Sequence, residues 1–112
     1  MLKKEVLRKK SDFSSIYKKG KSVGGRFVVI FCRKNDLPYN RIAFLASKKV
    51  GNSVIRNRAR RLMKESYRQI SDRFAVGYDI IFIARKTIIN LKCADVKQSI
   101  EAAARRAGIL KK

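Results

Sequence analysis

Two segments, RFVVIFCR at 26–33 and GYDIIFIAR at 77–85, carry apolar side chains at consecutive positions. In a strand, consecutive side chains point to opposite faces. Phe27, Val29 and Phe31 therefore point one way, and Val28, Ile30 and Cys32 the other. Strands that are apolar on both faces belong in the middle of a sheet. A third strand is expected over RIAFLAS, 41–47. The turn KNDLPY at 34–39, with Asn35, Asp36 and the single proline Pro38, is short enough to imply an antiparallel hairpin between 26–33 and 41–47. Residues 21–25 are small and glycine-containing, suited to a short edge strand or a bend.

Three helices separate these strands. Ser11 reads as an N-cap, Asp12 as an acidic first turn, and Phe13, Ile16 and Tyr17 fall at helical spacing before Gly20 closes the segment. After Gly51, with Asn52 or Ser53 as cap, the residues Ile55, Ala59, Leu62, Met63, Ser66 and Ile70 fall on one stripe, about 100° wide at 3.6 residues per turn. In the last helix Asp95 serves as cap, Val96, Ile100, Ala103, Ala104 and Ala107 share a face, and Gly108 ends it. The first ten residues are basic and aperiodic, which predicts a mobile arm. The order α, β, β, α, β, α predicts one domain over 1–112, an α+β fold built as an α/β sandwich, with a mixed sheet of about four strands and helices on one side. Three helices on one side leave the second apolar face of strand 26–33 short of cover.

Charge then narrows the partners. With 29 Lys and Arg against 8 acids the chain carries +21, a self-repulsion that a polyanion relieves. No apolar run approaches the roughly 18 residues of a spanning helix, and MLKKEVLRKK has no apolar core behind its charges; a cytoplasmic protein with no membrane partner is expected. There is no His, and the only cysteines are Cys32 and Cys93, which removes the common zinc patterns and the Cys/His and Ser/His nucleophile arrangements. Cys32 lies inside an apolar strand and is expected to be a core residue. The acids Glu5, Asp12, Asp36, Glu65, Asp72, Asp79, Asp95 and Glu101 are scattered, whereas a metal-dependent nuclease needs two or three converging on its ions. An independent active site is not expected.

The densest basic stretch is the long helix. Arg56 with Arg60, Arg60 with Lys64 and Lys64 with Arg68 are like-charged neighbours at i, i+4, each costing roughly 0.2–0.5 kcal/mol in an isolated helix. Phosphates satisfy several such cations at once and release counterions. Arginine dominates, and its planar fork binds phosphate bidentately and stacks on bases; Asn57 could read a base edge or a 2′-OH. Phe13, Tyr17 and Phe31 have two readings from spacing alone: core, or the floor of a groove on which single-stranded bases stack.

SKKVGNSVIRNRARRLMKESYR at 47–68, DFSSIYKKGKSV at 12–23 and IIFIARK at 80–86 together resemble the bacterial ribonuclease P protein subunit. The first is similar to that family's arginine-rich signature. Ser53 stands where the family commonly has Ala, and Tyr17 where a Phe is frequent. The resemblance implies a ribosomal protein S5 domain 2-like sandwich with an unusual left-handed βαβ crossover from strand 41–47 through the long helix to strand 77–85. It implies that Lys48, Lys49, Arg56, Asn57, Arg58, Arg60, Arg61, Lys64 and Arg68 dock on the ribonuclease P RNA subunit. A cleft of Phe13, Tyr17 and Phe31, with Arg85 and Lys86, would hold the single-stranded 5′ leader of precursor tRNA. The activity implied is endonucleolytic removal of that leader by the holoenzyme, with Mg²⁺ held mainly by RNA and no catalytic residue on the protein. The competing reading is a structural RNA-binding protein of ribosomal type with no part in cleavage. DNA is not an expected partner, since nothing resembles a helix-turn-helix pair.

Overall fold

The computed structural model describes residues 3–111. In chain order the elements are α1 Lys10–Lys19, β1 Lys21–Gly24, β2 Val28–Lys34, β3 Arg41–Leu45, α2 Ser53–Ile70, β4 Tyr78–Ala84 and α3 Cys93–Ala107, with single 3-10 turns at Lys3–Glu5, Ser71–Arg73 and Lys86–Ile88. They form the expected mixed four-stranded sheet, ordered β1-β2-β4-β3.

The expected hairpin between β2 and β3 does not form. β4 lies between them, antiparallel to β2 and parallel to β3. β4 is buried on both faces at Ile80, Ile81 and Phe82, and an interior position is the one that covers both. The connection at 35–40 therefore crosses two strand spacings, about 10 Å, over the start of β4. Asn35 fastens it there: its N–H donates to the Gly77 carbonyl (2.8 Å) and its side-chain amide to Asp79 Oδ1 (2.8 Å).

The helices do not all lie on one side. α2 and α3 cover the face carrying Val28, Ile30, Cys32, Ile42, Ile80 and Phe82. α1 packs on the opposite face, where Ile16 and Leu7 meet Ala43 and Ile81, with Phe13 and Phe31 beside them. The same apolar alternation that makes β4 an interior strand demands this second cover. On the α2 side, Phe44, Tyr67, Phe74 and Phe82 form an aromatic cluster with ring centroids 5.0–6.3 Å apart. Cys32 is buried there as a free thiol, as expected, and burial pushes its pKa up.

The arm expected over residues 1–10 is, over its described part, a strap. Val6 forms a parallel bridge to Ile42, the Leu7 N–H donates to the Ile42 carbonyl (3.0 Å), and Leu7 is 4% exposed. An apolar residue in an otherwise basic stretch found the uncovered edge of β3; residues 1 and 2 lie outside the described residues. α1 then begins at Lys10 after Lys9, with no side-chain cap, so Ser11 lies inside the first turn. Asn52 caps α2 by accepting from the Ile55 N–H (3.0 Å). Asp95 sits three residues into α3's start and accepts from the Lys92 N–H (3.3 Å), and Gly108 closes α3 at φ 75°.

One polar cluster fixes α1 to the sheet. Asp79, 6% exposed, accepts from Arg41 Nη2 (2.6 Å) and Nε (2.8 Å), and Arg41 Nη1 reaches Asp12 of α1 (3.4 Å). The hydrogen bonds that Arg41 donates to Asp79 are the main cause holding the Arg41 pKa above its ordinary value. Arg33 donates to Ser15 of α1 from the neighbouring strand. At the other end of α1, a Cβ on Gly20 would sit 2.5 Å from the Ile16 carbonyl oxygen and 2.6 Å from that of Cys32. Both are backbone atoms of packed elements. Gly20→Ala is expected to cost about 1–3 kcal/mol, read as a lower urea midpoint with unchanged slope.

Candidate nucleic-acid interface

Four of the acids are consumed away from the centre of the basic helix. Asp12 and Asp79 pair with Arg41, Glu65 with Arg68 (2.5 Å), and Glu101 with Arg73 (2.6 Å) and Arg105 (3.3 Å). Arg68 and Gln69 hold the Glu65 carboxyl below its usual range. Among the described residues, no carboxylate lies within 4.0 Å of Arg56, Arg58, Arg60, Arg61 or Lys64. Arg56 keeps a buried Nε with no hydrogen-bond partner. The apolar stripe of α2 is nonetheless seated as its spacing predicts, with Ala59, Met63, Ser66 and Ile70 buried and Tyr67 added to them. Burial of that stripe, not pairing of its charges, holds the helix in place.

The sheet face under α1 is the second feature. Strand register aligns Ser22, Phe31, Ile81 and Ala43 in one row across the sheet and Gly24, Val29, Ile83 and Leu45 in the next. α1 is anchored beyond the first of these, over Arg33, Asp79 and Arg41. The second row has no full cover, and Val29, Ile83 and Leu45 are all half-buried. Phe13 and Phe31 are half-buried beside them, and Tyr17 is 43% exposed with its ring 5.0 Å from that of Phe31 at 85°. These rings are both core and surface: one side packs, the other faces solvent. Two residues beyond Ile83, Arg85 continues the same face of β4, and Lys86 follows it; both are exposed. A Cβ on Gly24 would lie 3.1 Å from Arg85 Nη2, which places the guanidinium over the end of β1. The result is an apolar, aromatic shelf with cations at its end.

Residues 1–108 match the family model described as Ribonuclease P. The chain belongs to the ribonuclease P protein family. It is 44% identical over 94 residues to the ribonuclease P protein component of Alkaliphilus oremlandii, covering 84% of this chain and 82% of the relative. It is 43% identical over 104 residues to that of Clostridioides difficile, covering 92% and 91%. Among solved structures it is similar to the Staphylococcus aureus RNase P protein (TM-score 0.84, 30% identity, 96% of this chain and 98% of that one) and to the Thermotoga maritima RNase P protein (TM-score 0.82, 29% identity, 91% and 96%). As a member of that family, the chain is an RNA-binding protein of tRNA processing.

In this ribonuclease P protein the predicted residues separate into groups. Arg60, Arg61 and Lys64 line a groove shared with Phe13 and Leu45. Arg58 lies on the other shoulder of α2, in a groove with Leu62, Ile88 and Ile89. Asn57 is exposed and its side-chain oxygen accepts from Arg60. Lys48 and Lys49 are exposed in the turn leading into α2, and Arg68 is tied to Glu65 on its exposed C-terminal turns. Sequence reasoning placed Val29 on the under-covered face of strand 26–33 but missed Ile83 and Leu45 as floor and Val6 and Leu7 as strap. It also missed the network of Asp79; a lone acid in YDIIFIAR was the available signal, since a buried charge requires a partner.

Among the described residues no three His, Cys, Asp or Glu side chains gather as a metal site. If the unpaired cations meet phosphates, Arg58→Ala with Arg61→Ala should lower affinity for structured RNA and flatten the plot of log affinity against log salt by roughly 1.4–1.8 in slope, measured by titration at several salt concentrations.

Proposed function

We propose that this protein serves the ribonuclease P holoenzyme in two ways: the basic face of α2 docks on the catalytic RNA subunit, and the α1-side shelf holds the single-stranded 5′ leader of precursor tRNA. The observation that carries the second half is the pair Tyr17 and Phe31, packed edge to face yet open to solvent, on a half-buried apolar row that ends in Arg85 and Lys86. A structural RNA binder has no need of an open aromatic shelf. Single-stranded bases do, because each offers a π-face, worth about 1–3 kcal/mol when stacked.

The mechanism follows from division of labour. The protein supplies no general acid, base or nucleophile, and the phosphodiester joining leader to mature 5′ end is hydrolysed on the RNA subunit, with Mg²⁺ held mainly by that RNA. Lys48, Lys49, Arg56, Arg58, Arg61 and Arg68 neutralise phosphates of the docked RNA and screen repulsion between two RNAs. The shelf binds precursor and not product, because only the precursor has a leader. Cleavage removes that contact, so the product leaves more readily than the substrate.

Tyr17→Ala and Phe31→Ala are each expected to weaken holoenzyme binding of precursor tRNA by roughly 5- to 100-fold, the worth of a lost stacked base, and to leave mature tRNA binding unchanged. Equal losses for precursor and mature tRNA, in titrations at one salt concentration, would return the rings to a purely structural role.

A further inference from the structure

Between the docking face of α2 and the leader shelf, the outer edge of β3 carries a groove whose backbone edge belongs to neither. The Ile42 carbonyl accepts from the Leu7 N–H and so points away from β4. The two-residue period of a strand then turns the N–H and C=O of Phe44 to the same outer side. Among the described residues neither group has a hydrogen-bond partner, because the strap leaves the edge after Leu7 to start α1. An unpaired donor and acceptor thus stand side by side in a cavity of about 330 Å³. Val6, Leu7 and Phe13 form one wall, Phe44 and Leu45 the floor, and Arg60, Arg61 and Lys64 of α2 the opposite rim.

We infer that this groove receives one unstacked nucleotide of the RNA subunit, its base against the apolar wall, its edge on the Phe44 peptide and its phosphates on Arg60, Arg61 and Lys64. A free strand edge could also take a peptide, but a second copy of this chain brings +21 of like charge to a rim already made of three cations. A base-paired segment offers no free Watson–Crick edge, whereas loops and bulges do. The RNA subunit is favoured over the leader because the rim is made by α2, the helix assigned to docking. The inference rests on that docking assignment and sharpens it: phosphate contacts fix position, while a base held against a peptide donor and acceptor selects a particular unpaired nucleotide.

Two measurements decide it. Val6 is half-buried at the groove wall, so Val6→Trp fills the cavity and leaves every cation in place. Affinity for the RNA subunit, with no precursor present, should fall about tenfold, with the salt slope unchanged since no phosphate contact is removed. Val76→Trp, a 63% exposed position away from this groove, should bind as the wild type does. In parallel, the wild-type protein assembled with RNA subunit carrying 4-thiouridine should photocrosslink, through the peptide containing Val6 or Phe44, to a single unpaired nucleotide; this reading does not depend on how the variant folds. Wild-type affinity in Val6→Trp would overturn the inference, as would crosslinks from this groove only to the precursor leader or to a second protein chain. Arg58→Ala with Arg61→Ala separates the two levels. If that pair weakens assembly and Val6→Trp does not, docking stands and the base site falls; if neither does, the docking assignment itself fails.

Discussion

The arrangement depends on one constraint: β2 and β4 are apolar on both faces, and a chain of this length has only three helices to cover them. α2 and α3 take one face and produce the main core. The other is left to α1, ten residues long and held at one end of the sheet by Asp12 with Arg41 and by Ser15 with Arg33. Ile81 and Ala43 are buried by it, while Val29, Ile83 and Leu45 are covered only in part. What remains open is a strip of core, rigid because its backbone is central sheet, and suited to flat apolar ligands. Its position is set by the buried Asp79, which ties the α1 anchor, the crossing loop and two strands at a single carboxylate.

Charge follows a similar logic. Exposed ion pairs contribute little to stability, so outside the buried Asp79 cluster the acids matter less for what they stabilise than for where they are absent. The paired acids sit at the α1 anchor, on the C-terminal turns of α2 and on α3. The middle of α2 is left with cations alone, and its repulsion is offset by burial of Ala59, Met63, Tyr67 and Ile70. In the proposed docking role, apolar seating on one side and unpaired cations on the other would present α2 to phosphates as a helix already formed.

Local features were readable from residues 26–33, 41–47, 52–70 and 77–85, because alternation and helical spacing are properties of the segments themselves. The stripe of α2, the burial of Cys32 and the end of α3 at Gly108 came out as the sequence indicates. Pairing and layering did not. A short loop suggested a hairpin, but which strand lies beside which is decided by cover, and β4 outcompeted β3 for the interior place. Helices on one side was the simplest layering, and the apolar second face overrode it. The strap was hidden because two apolar residues, Val6 and Leu7, are too few to show a period. In the candidate site, the basic helix was evident from composition, whereas the shelf required register across three strands. For Phe13, Tyr17 and Phe31 the spacing left two readings open; the rings pack against the sheet and keep a side to solvent, and base stacking on that open side belongs to the proposed function.

In the proposed role the protein promotes cleavage by holding the leader on the open sheet face, with the chemistry left to the RNA subunit. The most direct test is the rate of precursor tRNA cleavage by the cognate RNA subunit at low Mg²⁺, with and without this protein, over a series of shortened leaders. Strong stimulation with a full leader is expected, declining as the leader becomes too short to cross the shelf. Absence of stimulation, or stimulation independent of leader length, would contradict it.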